Sequence, residues 1–321
     1  MSEKQFEKNK VTVVIPAYNE ERFLRQALES VVEQVDCVLL GDNASTDGTE
    51  AICREFAEKY EHIRYIRHDT NIGGVANMQY LVNLVETEYM FHMGAHDLLP
   101  DNYVSTLKTL LNVTPDAICA YGNYSWIKPD GTIFRTFDFA PVREKMLDDD
   151  PYVRAAAFFH GVQSHLCWLI FGLFRSSTAI PIFTAMKPIS GCDHLVPVAA
   201  LLNGKIVHAP ETTYLSRLVH LADVDQPVYT MRKDKNYMKR IVGQDDSKKL
   251  SRDYSEIGKQ MLDWVRKHRE KQDISREQEK TFKKLLFQIK FSTLLLQLRF
   301  DTPFVSAFLD IVEKVWRKCF K

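Results

Sequence analysis

The chain has 321 residues, room for about two domains or one large domain with an appendage. Apolar residues make up 45% and charged residues 26%, a globular balance that excludes disorder, collagen and a coiled-coil rod. Its 42 basic and 42 acidic residues cancel, which argues against a nucleic-acid binder but says nothing about local patches.

Val11–Ile15 is a β-branched run that stops at Pro16 and predicts a buried strand. Asn19 is placed to cap the next element, where Phe23, Leu24, Ala27, Leu28, Val31 and Val32 recur at helical spacing. Cys37–Leu40 predicts a second strand. Ser45 or Thr46 then opens a helix carrying Ile52, Phe56 and Tyr60. Ile63–Ile66 predicts a third strand, and the glycine pair 73 and 74 precedes a helix with Met78, Leu81, Val82 and Val85. Tyr89–Met93 predicts a fourth strand. Alternation of this kind implies an α/β fold with a mostly parallel sheet flanked by helices. Further on, Asp193 precedes an apolar helical pattern from Leu195 to Leu202, and Gly204–Pro210 reads as a following strand.

In such sheets ligands bind beyond the carboxyl ends of the strands. Four strand ends here carry small or polar residues: Pro16–Asn19, Asp42–Asp47, His68–Asn71 with Gly73, and Gly94–Asp97. Each alone fits an ordinary turn. Four in succession along one edge point to a binding cleft.

The six cysteines (37, 53, 119, 167, 192 and 319) form no CxxC pair, which disfavours a zinc ribbon and fits a reducing compartment. The polar first ten residues lack the apolar core of a signal peptide. The longest apolar stretch, Leu166–Phe174, is about half the length of a membrane span. A cytoplasmic protein is therefore expected.

The segments Val14–Glu20 (VIPAYNE), Asp42–Thr49 (DNASTDGT), Asn71–Gly74 (NIGG) and Ala95–Pro100 (AHDLLP), in this order and spacing, resemble glycosyltransferase family 2 of the bacterial envelope-polysaccharide type. The resemblance is close over about residues 10–105, looser to about 220, and lapses beyond. It implies a GT-A fold and a nucleotide-diphosphate-sugar donor, most often a UDP-sugar. Pro16, Ala17, Tyr18 and Asn19 match the segment that packs on the nucleoside. Asn71, Gly73 and Ala95 fall in the other donor-side motifs. Asp42 matches the carboxylate that accepts from a base N–H, and the same residue would equally cap its own turn. Asp47 reads as a helix cap.

The family's Asp-x-Asp-Asp run, which holds Mg²⁺ or Mn²⁺ on the diphosphate, is here Gly94-Ala95-His96-Asp97. Three readings follow: His96 and Asp97 hold the metal together, His96 contacts phosphate without metal, or the site is weakened or dead; metal-assisted activity with Mn²⁺ or Mg²⁺ is the expectation. The resemblance also implies that Asp193 is the general base, with Cys192 where the family usually has Glu. A plain helix cap is the alternative. His194 and Trp168 are acceptor-side candidates, Trp168 equally a core residue, and Gly172 is a place for close approach of the sugar. Arg217 and His220 fall where the family carries a basic residue near the diphosphate, and His220 is also a metal candidate. His160 and His165 read as structural.

Residues 1–225 form the expected catalytic domain and 226–321 a helical extension, with a polar loop over 226–248. Residues 280–321 hold nine basic and three acidic residues, with Phe282, Leu285, Leu286, Ile289, Leu296 and Phe300 at helical spacing and a second stretch after Pro303. That pattern fits either docking on an anionic membrane or packing on the catalytic domain with a solvated basic face. The Gln-x-x-Arg-Trp motif of processive synthases is absent. The expectation is an inverting, non-processive transferase acting on a glycan or lipid-linked acceptor in envelope polysaccharide, lipopolysaccharide or capsule synthesis, peripheral on the inner membrane face. A nucleotide-sugar-binding subunit without turnover is the rival. A nucleotidyltransferase is disfavoured, because Pro16–Asn19 is no glycine-rich phosphate loop.

Overall fold

The computed structural model describes residues 5–137, 139–159, 166–187, 189, 192–219 and 247–301. His160, His165, His220, most of the expected loop at 226–248 and the stretch after Pro303 lie outside them.

The first strand, β1 (Glu7–Ala17), is longer than the Val11–Ile15 run, but that run is its buried centre. Val13, Val14 and Ile15 are wholly buried, as befits a strand covered on both faces. Strands β2 (Cys37–Asp42), β3 (Ile63–Arg67) and β4 (Thr87–His92) follow where the pattern predicts them. Between them run α1 (Leu24–Val31), α2 (Thr49–Lys59) and α3 (Gly74–Asn83). Strands β2 and β4 both pair with β1, and β3 with β2, all parallel.

The second half carries α4 (Tyr103–Val113), β5 (Ala117–Ile127), β6 (Ile133–Phe137), α5 (Ala140–Met146), α6 (Pro151–Ala156), β7 (Leu173–Arg175), α7 (Ser176–Thr184), α8 (Leu195–Asn203) and β8 (Lys205–Arg217). These strands extend the sheet to eight, in the order β3-β2-β1-β4-β7-β5-β6, with β8 on β5. Short β7 bridges β4 and β5 antiparallel to both, while β8 runs parallel to β5 along most of its length. Gly172, expected to let a sugar approach, instead lets the chain approach β5: a Cβ there would lie 2.6 Å from Cys119 Sγ and 2.9 Å from the Ala120 carbonyl.

The C-terminal extension is a hairpin of α9 (Ser247–Glu270) and α10 (Arg276–Asp301) packed against α8 and α6. Ile257, Met261 and Val265 of α9 and Leu285 and Ile289 of α10 are buried in that contact. Among the described residues no helix is long and apolar enough to cross a membrane.

Candidate donor site and acceptor-side base

The parallel register sets Ala17 beside Asp42, and Asp42 beside Arg67, so one row crosses the carboxyl ends of β1, β2 and β3. Asp42 sits at its centre, wholly buried. Its Oδ1 accepts the Ser45 N–H at 2.8 Å. Its Oδ2 accepts the Tyr65 hydroxyl at 3.0 Å and the Arg67 guanidinium. Burial, together with the Asp42 charge, pushes the Tyr65 phenol up, so it stays a donor. The cap and the base-recognition roles proposed for Asp42 thus compete for one carboxylate. In this state its accepting capacity is turned to the chain, with half-buried Arg67 between it and solvent.

The loops after β1 and β2 are stitched together by reciprocal hydrogen bonds. Asn19 N donates to Ser45 Oγ at 3.0 Å, and Thr46 N to Asn19 Oδ1 at 2.9 Å. Glu20 N donates to Thr49 Oγ1 at 2.7 Å and Gly48 N to Glu21 Oε2 at 2.7 Å. Asn19 therefore does not cap α1, whose cap position is Phe23. It takes a left-handed backbone (φ 54°) that aims its amide at the neighbouring loop. Likewise α2 opens at Thr49, not at Ser45 or Thr46, because those two residues are tied to Asn19 and Asp42, and Asp47 Oδ1 accepts the Thr49 N–H at 3.0 Å. The cap position is Gly48, so Asp47, expected as the cap, stands one residue before it and serves the first N–H of the helix from there.

The third loop hangs on Asn43, which the motif reading passed over. Buried Asn43 donates from Nδ2 to Asn71 Oδ1 at 2.8 Å and accepts the Ile72 N–H at 2.8 Å. Asn71 Oδ1 also accepts Gly73 N, and Gly73 takes φ +88°, a backbone that glycine adopts without strain. Tyr18, Asn19, Asn71 and Gly73 are thereby left exposed along the cleft, with Pro16 half-buried. Tyr18 is 40% exposed, as a ring free to stack on a base requires. Ala17 and Ala95 are buried in the wall behind.

After β4 the chain turns tightly through Gly94–Asp97. His96 Nδ1 lies 3.0 Å from Glu20 Oε1, another residue that motif reading did not single out. Burial pulls the His96 pKa down, but the Glu20 hydrogen bond and the charges of Asp97 and Glu20 outweigh it and raise it to about 8. Asp97 is buried, accepting the Tyr214 hydroxyl at 2.7 Å and the Arg217 backbone N–H at 2.8 Å. The Arg217 guanidinium is spent on the chain: Nε donates to the His96 carbonyl at 2.9 Å and Nη2 to Gln26 Oε1 at 3.0 Å. Arg217 is thus a strut behind the His96 turn rather than an open phosphate ligand. Among the described residues, no three His, Cys, Asp or Glu side chains are grouped to hold a metal ion. The divalent metal that the resemblance implies therefore has no such group of ligands among the described residues.

Asp193 lies on a 3-10 turn, Cys192–His194, that runs directly into α8. The cap position of α8 is His194, and the Asp193 side chain makes no hydrogen bond or ion pair among the described residues, so capping does not account for it. Its carboxylate is half-buried. Burial, with the Asp193 charge, pushes the neighbouring Cys192 thiol up to about 12, so that thiol stays protonated at neutral pH. The His194 ring stands edge-on to Phe158 at 5.8 Å.

The Asp193 turn packs on a second turn, Leu166–Phe171, which itself packs on β4 and β5. Half-buried Trp168 there is stacked on Tyr124 at 4.0 Å and tilted against Phe137 at 4.2 Å. Tyr124 continues onto Tyr214, and Tyr214 onto Phe171 at 4.5 Å. Trp168 thus belongs to an aromatic pile that ends on the Tyr214 hydroxyl holding Asp97.

The sequence profile of glycosyl transferase family 2 matches residues 12–173. Abequosyltransferase RfbV of Salmonella typhimurium is 28% identical over 172 residues, 50% of this chain and 52% of that protein. Glycosyltransferase GlyA of Streptococcus pneumoniae is 34% identical over 120 residues, 36% of this chain and 17% of that protein. The minor teichoic acid biosynthesis protein GgaB of Bacillus subtilis is 32% identical over 120 residues, 35% and 13% of the two chains. The chain thus spans about half, or much less, of the length of these relatives. Staphylococcus aureus TarS 1–349, solved in complex with UDP-GlcNAc, superposes with a TM-score of 0.56 at 15% identity, over 88% of this chain and 73% of that one. At that identity the likeness is one of fold.

Proposed function

The chain belongs to glycosyltransferase family 2, and on that premise we propose that it is an inverting, non-processive glycosyltransferase using a nucleotide-diphosphate sugar, a UDP-sugar first among them. The observation that carries the reading is the row Ala17–Asp42–Arg67 at the carboxyl ends of three parallel strands, overhung by the exposed Tyr18 and the Asn71–Gly73 loop. The row has an exposed ring at its lip and loops tied to one another by hydrogen bonds on either side. The TarS structure with UDP-GlcNAc supports a UDP-linked donor, and the relatives RfbV and GgaB support an envelope-glycan acceptor, glycan or lipid-linked, handled at the cytoplasmic membrane face.

In this reading Asp193 takes the proton of the acceptor hydroxyl. The freed oxygen attacks the anomeric carbon from the face opposite the diphosphate. The bond from anomeric carbon to phosphate oxygen breaks, and the nucleoside diphosphate leaves with its electron pair, so configuration inverts. Most of the acceleration comes from holding donor and acceptor in line, which needs stiff loops more than reactive groups. His194 and the Trp168 wall bound the acceptor side. No step is routed through a metal.

The test is a thermal-shift screen of UDP-, GDP- and dTDP-sugars with the full chain, followed by turnover assays with Asp193→Asn. Ligands that bind the native state raise the melting temperature. A UDP-sugar is expected to shift it, and Asp193→Asn to keep that shift while losing about 10²–10⁴ in kcat. Binding without turnover in the wild type would establish the rival, a nucleotide-sugar-binding subunit. No shift with any donor would overturn both.

A further inference from the structure

At the end of β4 only one carboxylate, Asp97, stands in the run Gly94–Asp97. A divalent cation on a diphosphate takes most of its oxygens from the phosphates and water, and needs from the protein one or two carboxylates that face them. Asp97 points the other way. It is 1% exposed, with Oδ2 on the Tyr214 hydroxyl and Oδ1 on the Arg217 N–H, so both oxygens face β8. Turning it outward to meet an ion would strand two buried donors, because Tyr214 and Arg217 are themselves buried.

Gly94 belongs to the same arrangement. A Cβ at Gly94 would lie 2.4 Å from Asp97 Oδ2 and 2.9 Å from its Cγ. No side chain fits there while Asp97 faces inward, and a second carboxylate is excluded along with the rest. The Gly94 N–H donates to the same Tyr214 hydroxyl at 3.1 Å, which closes the lock. Leu98 and Leu215 exchange backbone hydrogen bonds at 2.9 and 3.1 Å, pinning the turn to β8 just beyond it. Among the described residues, what remains toward the cleft is His96, its Nδ1 held by Glu20 and its Nε2 3.8 Å from Asp97 Oδ1. With Asp97 turned to β8 and Glu20 paired to His96, no carboxylate of this turn is left facing the cleft to hold Mg²⁺ or Mn²⁺ on a diphosphate.

We infer that this corner takes the donor diphosphate without a divalent cation, and that Asp97 and Gly94 together form the anchor of β8 beneath it rather than a remnant of a metal site. This rests on the donor reading above. The charge of the departing diphosphate is then met by hydrogen-bond donors of the chain around the His96 turn.

The experiment is calorimetric titration of UDP, GDP and dTDP into the full chain, first in EDTA and then in excess Mn²⁺. The electron paramagnetic signal of free Mn²⁺ is followed in parallel against a nucleotide-only control. The expected result is that the best nucleotide binds with affinities agreeing within about threefold in the two conditions, and that the protein removes no Mn²⁺ beyond the control. A gain in affinity above about threefold with Mn²⁺, or protein-dependent loss of the free signal, overturns the inference and leaves the donor reading standing. Failure of all three nucleotides to bind in either condition overturns the donor reading itself, and this inference with it.

Discussion

His92 and His96 stand one helical turn's worth of sequence apart at the end of β4 and are shifted in opposite directions. Burial, with His96 adding its charge, lowers His92 to about 4, and its ring lies stacked on Phe171 at 5.4 Å. Its folded value is below the unfolded one, so its contribution is present above about pH 6.5 and lost as the pH falls toward 4, by about 3 kcal/mol. His96, raised to about 8, contributes below about pH 6.5 and loses its contribution as the pH rises through 8, by about 2 kcal/mol. The two limbs place the optimum of their joint contribution near neutrality. Chemical denaturation from pH 4 to 9 checks this. His92→Phe, which keeps the stack, should flatten the acid limb, and Glu20→Gln the alkaline one. An unchanged profile in both variants would refute the assignment. At this scale the motif reading located the cleft residues but not their partners. Asp97 is held by Tyr214, 117 positions away, and His96 by Glu20, 76 positions away. Residue type and spacing carry no sign of such pairings, which is why Asp97 and Arg217 read as ligands and fold as struts.

Elements were legible where burial imposes a pattern. The apolar strands β1 to β4 and the stripes of α1 and α3 are each a direct record of what the sheet covers. Less legible were β5, β6 and β7. The last has three residues, too few for any periodicity, and β5 is buried along most of its length, so it alternates nowhere. The α9–α10 crossing was equally hidden, because it turns on one glycine. A Cβ on Gly258 would lie 2.2 Å from Thr293 Oγ1, so the helices meet there at backbone distance. Gly258→Ala is expected to destabilise the protein by about 1–3 kcal/mol despite alanine's better helix propensity. Gly74 at the start of α3 has nothing within 4 Å of its Cβ position and no positive φ, so Gly74→Ala should change stability by about 0.5 kcal/mol at most, or improve it. Urea unfolding of the pair measures both. Equal effects would mean that the crossing does not depend on close approach.

Over the whole molecule the cancelling charge hides an uneven distribution, since residues 280–321 hold nine basic and three acidic residues. The packing of α10 on the domain leaves its other face exposed. One face of α10 packs through Leu285 and Ile289 onto the catalytic domain, while Lys283, Phe287, Lys290 and Leu294 form an exposed face at helical spacing. Phe287 and Leu294 are each 50% exposed, and Lys283 makes only a loose 3.5 Å pair with Glu279. Large apolar side chains between lysines, on a helix already stabilised from behind, suit an anionic bilayer surface, where Phe287 and Leu294 enter the headgroup layer and the ammonium groups meet phosphate. The full chain is expected to co-sediment with vesicles containing anionic phospholipid, not with neutral ones, and to be released as salt shortens the screening length. At about 1 kcal/mol per lysine near such a surface, Lys283→Glu with Lys290→Glu should weaken binding by at least about tenfold. Phe287→Ser should weaken it at any salt concentration. Because these side chains are exposed, the melting temperature should stay where it is. Equal binding to neutral vesicles, or full binding by the charge-reversed variant, would show that the exposed face of α10 does not dock on membranes.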